Sequence, residues 1–250
     1  IIPEESQEKI IGRGIILYET DKSPSYETNA NTVFGYVEIS KSHRQIGLGS
    51  NCLQVLVSKV KELEKKVLQS NVSLEAGYRF CQKLGGSKAI EMFESRLYLD
   101  DVEWGMMDHW RISGSESAKG VIIESFSDVP EANIDEFTRF LNEVNNQQPL
   151  GEIETRFRTS PKSQRLNERK WKERGIQHIT MITKEKDGTM SGMTDRYFNP
   201  EEPHKIHVGA TGVKEEYRGR GLGKWLKAEM IYYVKEKYPS VLYELTGNAT

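Results

Sequence analysis

Residues 205–223 read Lys-Ile-His-Val-Gly-Ala-Thr-Gly-Val-Lys-Glu-Glu-Tyr-Arg-Gly-Arg-Gly-Leu-Gly. The first part, from Ile206 to Val213, has the composition of a β-strand. Beyond the glycines, apolar residues recur every three or four positions, at Leu222, Trp225, Leu226, Met230, Tyr233 and Val234. This spacing predicts an amphipathic helix. The stretch therefore predicts a strand, a glycine-rich turn and a helix in direct succession.

A strand that passes through glycines into the start of a helix is suited to binding phosphate. The first amides of a helix have no partner within it, and the helix dipole favours an anion there. Glycines and basic residues alternate at this point, in the order Arg218, Gly219, Arg220, Gly221, Leu222, Gly223 and Lys224. The glycines let a ligand approach the main chain, and the basic side chains add positive charge.

Two common phosphate loops differ from this one in spacing. The nucleotide-triphosphate loop needs Ser or Thr after its lysine, whereas Trp225 follows Lys224. The dinucleotide loop needs Gly-x-Gly-x-x-Gly, whereas these glycines run Gly-x-Gly-x-Gly. The sequence therefore indicates a phosphate ligand held by a different loop.

Composition excludes several classes of protein. The chain has 250 residues, a net charge of −2 and a pI near 6.3, so we expect no nucleic-acid partner. It has no apolar run of the roughly 18–20 residues that a membrane helix needs and no secretory signal. Cys52 and Cys81 suit a reducing compartment, so we expect a cytoplasmic protein without a membrane partner. The histidines lack metal-ligand spacing, so no metal is expected.

The glycine-rich pattern occurs a second time, earlier in the chain. Residues Ser42–Ser50 correspond to Glu216–Lys224, with Arg44 at the place of Arg218, 174 positions apart. In both places a β-rich run precedes the loop, and an amphipathic helix and a short strand follow it. This recurrence predicts two copies of one domain.

The first copy continues with a helix, Leu74–Leu84, that ends at two glycines. Two hairpin-like runs, Ala89–Leu99 and Val102–Ile112, follow it. The polar stretch Ser113–Lys119 is typical of a linker. We therefore expect an N-terminal domain over residues 1–115 and a C-terminal domain over 116–250.

The sequence of the second copy predicts a series of strands and helices that leads up to residues 205–223. Its predicted strands are Gly120–Phe126, His178–Lys184, Thr189–Phe198 and Ile206–Val213, with helices Ile134–Val144 and Ser160–Arg174 after the first. A strand at Val241–Thr246 follows the last helix. The resulting order is β-α-α-β-β-β-α-β.

Residues 218–223, Arg-Gly-Arg-Gly-Leu-Gly, resemble the acyl-CoA pyrophosphate loop of the GNAT superfamily of N-acetyltransferases, Gln/Arg-x-x-Gly-x-Gly/Ala, which follows a strand ending in Val. The order of elements is also that of the superfamily, and the tandem arrangement resembles mycothiol synthase and its relatives. The resemblance implies an α/β (α+β) fold of two tandem GNAT-like domains, each a mixed, mostly antiparallel twisted sheet flanked by helices. In the first copy, Leu74 and Cys81 replace polar residues of the family's pattern, which implies a degenerate domain, and its start leaves open whether it is complete. The helix that should follow the last strand is absent, which implies that the second domain is incomplete at its end.

The resemblance also implies how acetyl-CoA is bound. The main chain of Thr211, Gly212 and Val213 is expected to pair with the pantetheine amides, with a backbone N–H near Gly212 or Val213 facing the developing oxyanion. Amides of the loop are expected to bind the pyrophosphate, through Arg218, Gly219, Arg220, Gly221, Leu222, Gly223 and Lys224. Asn248, after the fifth strand, is expected to contact the coenzyme.

Some members of the superfamily place a glutamate six residues before the strand's Val, and His207 stands there in this chain. An imidazole titrates near pH 6.5, so it suits a general base that deprotonates an amine. His207 is equally compatible with an ordinary strand residue whose ring is hydrogen-bonded.

The expected function is acetyl transfer from acetyl-CoA to a primary amine, by direct attack on the thioester in the C-terminal domain. A small-molecule amine is the expected acceptor, and the oligomeric state is left open. Two alternatives remain at this point: a non-catalytic acyl-CoA-binding or sensing module, and a protein lysine acetyltransferase.

Overall fold

The computed structural model describes the chain in four stretches, residues 2–4, 9–148, 151–153 and 155–249. It divides into two compact units, Ile1–Ala89 with Ile153–Arg156, and Ile90–Glu152 with Phe157–Thr250. The segment Ile153–Arg156 joins the first unit because Asn29 makes two side-chain hydrogen bonds, each 2.9 Å, to the main chain of Arg156. The boundary between the units, near residue 89, lies before the predicted one at 115/116.

The first unit contains a four-stranded sheet. Its strands, in the order β1-β2-β3-β4, are β1 (Ile2–Glu4), β2 (Lys9–Tyr18), β3 (Thr32–Ile39) and β4 (Val67–Gln69). Its helices are α1 (Tyr26–Asn29), α2 (Leu48–Glu62) and α3 (Glu75–Lys83). β3 is antiparallel to β2 and parallel to β4. Helix α2 packs on β2 and β3 and buries Leu56 and Val60, as its apolar spacing predicts.

The second unit contains a six-stranded sheet in the order β5-β10-β9-β8-β7-β6. Its strands are β5 (Met92–Tyr98), β6 (Ile122–Phe126), β7 (Gln177–Lys184), β8 (Met190–Phe198), β9 (Lys205–Val213) and β10 (Tyr243–Ala249). Its helices are α4 (Trp104–Ser117), α5 (Ile134–Asn146), α6 (Pro161–Glu173) and α7 (Leu222–Lys237). Among the described residues of this sheet, only β9 and β10 are parallel neighbours. The predicted α/β class, with mixed sheets flanked by helices, is confirmed.

The core of the second unit lies on both faces of its sheet. Leu226 and Met230 of α7 pack on one face, and Phe137 and Phe140 of α5 pack on the other. The central strands β7 and β8 are therefore buried along nearly their whole length. Within the described parts of the chain, none of the helices combines the length and the apolar character that a membrane crossing requires.

The region between residues 99 and 119 differs from the prediction. The run Val102–Ile112 is not a strand, because most of it forms α4, and the predicted linker Ser113–Lys119 contains the end of that helix. Trp104, Met107 and Trp110 recur every three residues and pack near Ala228 and Ile231 of α7. This packing stabilises a helix whose glycines and serines give it a low intrinsic propensity. Strand β5 pairs along its whole length with β10, so this region belongs to the second unit.

Helix α4 approaches α7 closely at Gly114, where a Cβ would lie 2.5 Å from the Cβ of Trp225. We expect Gly114→Ala to lower the free energy of unfolding by about 1–3 kcal/mol, because relief of this overlap requires one helix to move. Gly105 lies on the same helix in open space, so Gly105→Ala is expected to stabilise it by about 0.5–1 kcal/mol. Urea unfolding followed by tryptophan fluorescence measures both effects, since all four tryptophans lie in the second unit. Equal effects of the two substitutions would contradict the close packing.

Candidate functional site

The loop between β9 and α7 has the geometry of an anion site. Gly219 and Gly221 adopt φ angles of 78° and 79°, which explains why glycine stands at both positions. The first hydrogen bond of the helix runs from the amide of Trp225 to the carbonyl of Gly221, at 3.0 Å. Among the described residues, the amides from Gly219 to Lys224 have no hydrogen-bond acceptor. Successive free amides at a helix start form a concave site for an anion.

The amide of Arg218, which the sequence also predicts to bind the pyrophosphate, already has a hydrogen-bond acceptor. It donates to the carbonyl of Glu215 at 3.2 Å, so the run of free amides begins at Gly219. The Arg218 guanidinium donates to the carbonyl of Val213 at 3.2 Å and to the side chain of Gln147. Arg218 therefore fixes the loop against the end of β9.

The other two basic side chains of the loop have different surroundings. Arg220 donates to Glu185 at 2.9 Å, which offsets its charge. Lys224 is exposed, and its ammonium lies 5.5 Å from the centre of the Trp110 ring. Lys224 is thus the basic group most available to a ligand at the free amides.

Strands β9 and β10 separate beside this loop. Their pairing runs from Lys205–Tyr243 to His207–Leu245 and, in the described residues, goes no further. Both strands continue, β9 to Val213 and β10 to Ala249. The main chain of β9 beyond His207 therefore has no strand on its β10 side. Such an edge is suited to pairing with the amides of an extended ligand.

The predicted residues Thr211, Gly212 and Val213 lie along this open edge. The Thr211 hydroxyl is 2.8 Å from that of Thr194, and Val213 packs near the start of α7. A Cβ on Gly212 would collide with Val144 of α5. Since these side chains face the protein, the strand offers its main chain to a ligand.

Leu222 of the loop also offers its main chain, and not its side chain, to a ligand. Its side chain is buried with that of Trp225, so only its amide faces the concave site. Gly223 follows it, and a Cβ there would lie 3.6 Å from Val213, which is ordinary contact. The space around Gly223 therefore tolerates a small side chain.

Asn248 was predicted to follow the fifth strand, but it lies within β10. The strand extends to Ala249 because β5 pairs with it along its whole length, and Asn248 lies opposite Phe93. Its amide nitrogen donates to the hydroxyl of Ser95 at 3.0 Å. The strand and this bond hold the Asn248 side chain towards β5.

His207 is the last residue of β9 that pairs with β10, and it lies opposite Tyr197 of β8. It is partly exposed and stands where the two strands begin to separate. It does not line the cavity that is found on the α5 side of the sheet. His207 therefore lies near the open edge. The rest of β9, as far as Val213, separates it from the phosphate loop.

The sequence did not predict a cavity of about 300 Å³ between α5, α6 and the sheet. Helix α6 borders it and begins at Pro161, where Ser160 caps the amide of Ser163. At the cavity β9 bulges, because its residues 209 and 210 both lie opposite Asp195 of β8. Gly209 within a strand was a usable signal of this bulge.

Three polar side chains meet in this cavity. Asp195 accepts a hydrogen bond from the hydroxyl of Tyr197 at 2.9 Å and lies 3.1 Å from Nε2 of His178. Burial, and then the charge of Asp195, raise the pKa of Tyr197, so its hydroxyl stays protonated as a donor. Within the described residues, no group of three or more His, Cys, Asp or Glu side chains is arranged to hold a metal ion.

Comparison with known proteins gives a family for part of the chain. Residues 147–248 match the model of the acetyltransferase (GNAT) family. No curated protein matches the chain in sequence. Among solved structures, the chain is similar to a tandem GNAT protein from the clavulanic acid biosynthesis pathway. The TM-score is 0.70 with 18% identity, and 97% of this chain and 72% of that chain are covered.

Two further structures have the same fold. A GCN5-related N-acetyltransferase from Sphaerobacter thermophilus gives a TM-score of 0.62 and 16% identity, covering 97% of this chain and 69% of that one. A glucosamine N-acetyltransferase region of a fungal multi-domain β-N-acetylglucosaminidase gives 0.58 and 13%, covering 96% and 29%. The family match spans strands β7 to β10, the free amides and α7. Residues 147–248 therefore match the GNAT family of acetyltransferases, and this match supports an acyltransferase enzyme.

Proposed function

We propose that the second unit transfers an acetyl group from acetyl-CoA to the primary amine of a small molecule. The observation that carries this proposal is the open edge of β9 beside the free amides of Gly219–Lys224. An extended chain that carries amides at one end and a pyrophosphate at the other matches both features. Coenzyme A has this chemistry.

The described residues fit acetyl-CoA as a cosubstrate. The free amides and Lys224 would hold its pyrophosphate, and the main chain of Thr211–Val213 would pair with its pantetheine amides. When bound, acetyl-CoA supplies an acetyl group activated as a thioester. A main-chain N–H near Gly212 or Val213 would stabilise the oxyanion that forms at this acetyl group.

The acceptor amine needs a base, because an alkylammonium with a pKa of about 10 has no lone pair for attack. His207 is our candidate, since it stands where the β9–β10 separation begins. The acceptor nitrogen, once neutral, attacks the thioester carbonyl directly. An assay for thiol release tests this function. We expect release from acetyl-CoA to depend on an added small primary amine, and amine-independent release alone would contradict the proposal.

We further propose that the chain contains two GNAT-like copies, each centred on one compact unit. In the first unit, Arg44 donates to the carbonyl of Ile39 at 2.9 Å, the counterpart of the bond between Arg218 and Val213. Gln45 and Gly47 have φ angles of 65° and 90°, close to those of their counterparts. Since Gln45 adds a side chain where the second copy has Gly219, we assign catalysis to the second copy. The resemblance to mycothiol synthase rests on this repeat.

The role of His207 predicts a change in pH dependence. We expect His207→Ala to lower kcat/KM about hundredfold at neutral pH and to flatten the acidic limb of the rate–pH profile. The limb arises because a base loses activity when it is protonated as the pH falls. Acetyl-CoA affinity is expected to stay unchanged. His204→Ala is the matched control, since His204 is exposed and its ring lies 6.0 Å from that of Tyr243. A His207→Ala profile identical to wild type would remove His207 from the mechanism.

A further inference from the structure

Among the described residues, the lining of the cavity on the α5 and α6 side of the sheet contains one carboxylate, that of Asp195. Apart from the hydroxyl of Thr159 and the ring of His178, the rest of this lining is apolar, aromatic or amide, as in Phe137, Gln164, Trp171 and Tyr197. In the part of the chain that the structure describes, no lysine or arginine lines the cavity to neutralise this carboxylate. The charge of Asp195 is therefore available to a ligand.

Asp195 is only partly satisfied by the protein. Its residue is 5% exposed, and Oδ2 receives the bond from Tyr197 and faces His178. Oδ1 is buried and has no hydrogen-bond partner among the described residues. A buried carboxylate oxygen without a donor is unfavourable, so a cationic donor that enters the cavity gains a strong interaction.

Oδ1 lies against the bulge of β9. A Cβ on Gly209 would collide with this oxygen and would lie 2.7 Å from the ring of Tyr197. Glycine at this position therefore leaves room for the carboxylate. It also brings the carboxylate beside the same strand whose opposite edge is open towards β10. A ligand at Oδ1 is thus close to the strand that would hold the acetyl donor.

Three aromatic rings of the cavity lining pack against one another, and two of them, those of His178 and Tyr197, contact the carboxylate. The ring centres of Trp171 and His178 are 4.4 Å apart, those of His178 and Tyr197 are 4.5 Å apart, and those of Trp171 and Tyr197 are 5.2 Å apart. Aromatic faces beside a carboxylate favour an organic ammonium, because both attract positive charge. The combination disfavours an anionic ligand.

We infer that this cavity binds the acceptor through its ammonium group, with Oδ1 of Asp195 accepting a hydrogen bond and Trp171 and Tyr197 forming the walls. The bound ammonium then passes its proton to His207, which lies opposite Tyr197, before the neutral nitrogen attacks the thioester. This inference rests on the proposed function and specifies its substrate class. Acceptors are small cationic primary amines, since 300 Å³ is at the lower end of ligand-site volumes. The side chain of a peptidyl lysine has the same chemistry, so the test includes it as a separate probe.

The test compares two probes of nearly equal shape, phenethylamine and 2-phenylethanol, titrated into the full chain at millimolar concentration by calorimetry. We expect phenethylamine to bind at least about tenfold more tightly, the gain typical of a hydrogen bond to a charged group. Asp195→Asn is expected to remove this preference, and Tyr197→Phe to weaken it several-fold, because the carboxylate loses the hydrogen bond that fixes its orientation. Glu236→Gln, an exposed carboxylate change on α7, is the control.

Acetyl-CoA is titrated into the same variants. Asp195→Asn is expected to bind it as wild type does, which shows that the variant is folded. Acetyl-CoA binding without detectable phenethylamine binding, equal binding of both probes, or an unchanged preference in Asp195→Asn would each overturn this inference alone. Failure of wild type to bind acetyl-CoA would instead overturn the proposed function. A lysine-containing peptide that displaces phenethylamine more effectively than other small amines would overturn the small-molecule class.

Discussion

Replacing Gly221 by glutamate is expected to lower the affinity for acetyl-CoA by at least about a thousandfold, which corresponds to about 4 kcal/mol. Gly221 has a φ angle of 79°, which a residue with a Cβ rarely adopts. A glutamate would also place a negative charge at the free amides, where the pyrophosphate is proposed to bind. Strain, bulk and like charge act in the same direction. Calorimetric titration of acetyl-CoA measures the effect.

Gly175→Glu is the matched control for this substitution. Gly175 is an exposed glycine of the same unit with a φ angle of 68° and open space around it. Its replacement introduces the same side chain and similar backbone strain away from the loop. We expect acetyl-CoA affinity close to wild type in Gly175→Glu. An equal loss of affinity in both variants would show that Gly221→Glu acts through stability and would contradict the assignment of the loop.

The second large effect concerns the ion pair between Arg196 of β8 and Glu244 of β10. The two residues are 2% and 6% exposed, and the guanidinium donates to both carboxylate oxygens at 2.8 and 3.0 Å. The pair fixes β10 where its short pairing with β9 begins. We expect Arg196→Met to lower the free energy of unfolding by about 3–5 kcal/mol, because Glu244 is left buried without its partner. Urea unfolding monitored by tryptophan fluorescence measures this value.

The double variant Arg196→Met/Glu244→Leu distinguishes the net contribution of the ion pair from the penalty of leaving one buried charge without its partner. We expect it to recover most of the lost stability, since two apolar side chains of similar volume replace the ions. Lys205→Met is the control, because it breaks the more exposed pair with Glu202 at the start of β9 and is expected to cost about 1 kcal/mol or less. A loss below about 1 kcal/mol in Arg196→Met would mean that the buried pair behaves like an exposed one.

The strand, loop and helix between residues 205 and 237 were predictable because each depends on local sequence. The apolar spacing of α7 and the glycines at 219 and 221 reflect a helix face and two positive φ angles, which are local requirements. The same holds for the recurrence around Arg44. Family resemblance then connected the loop to acetyl-CoA.

Helix α4 was missed because its stability comes from packing. Gly114 and the neighbouring serines have a low helix propensity, so the local sequence disfavours a helix. The helix is stabilised by its close packing on Trp225 of α7. The position of Asn248 was missed for a similar reason, since pairing with β5 extends β10 beyond its apolar residues.

The cavity could not be predicted because its residues come from two helices, three strands and the loop between α5 and α6. Trp171, His178 and Asp195 lie on α6, β7 and β8 and show no common spacing. Their meeting depends on the order of the strands and on the bulge opposite Asp195. Only Gly209 carried a local signal of that bulge.

We propose above all that the second unit holds acetyl-CoA between β9 and β10 and at the free amides of the loop. The most direct test is a crystal structure of the chain in complex with coenzyme A. We expect the pyrophosphate oxygens within hydrogen-bond distance of amides between Gly219 and Lys224, and the pantetheine along Thr211–Val213. A structure with coenzyme A bound only at the Arg44 loop, or with no coenzyme between β9 and β10, would contradict this proposal.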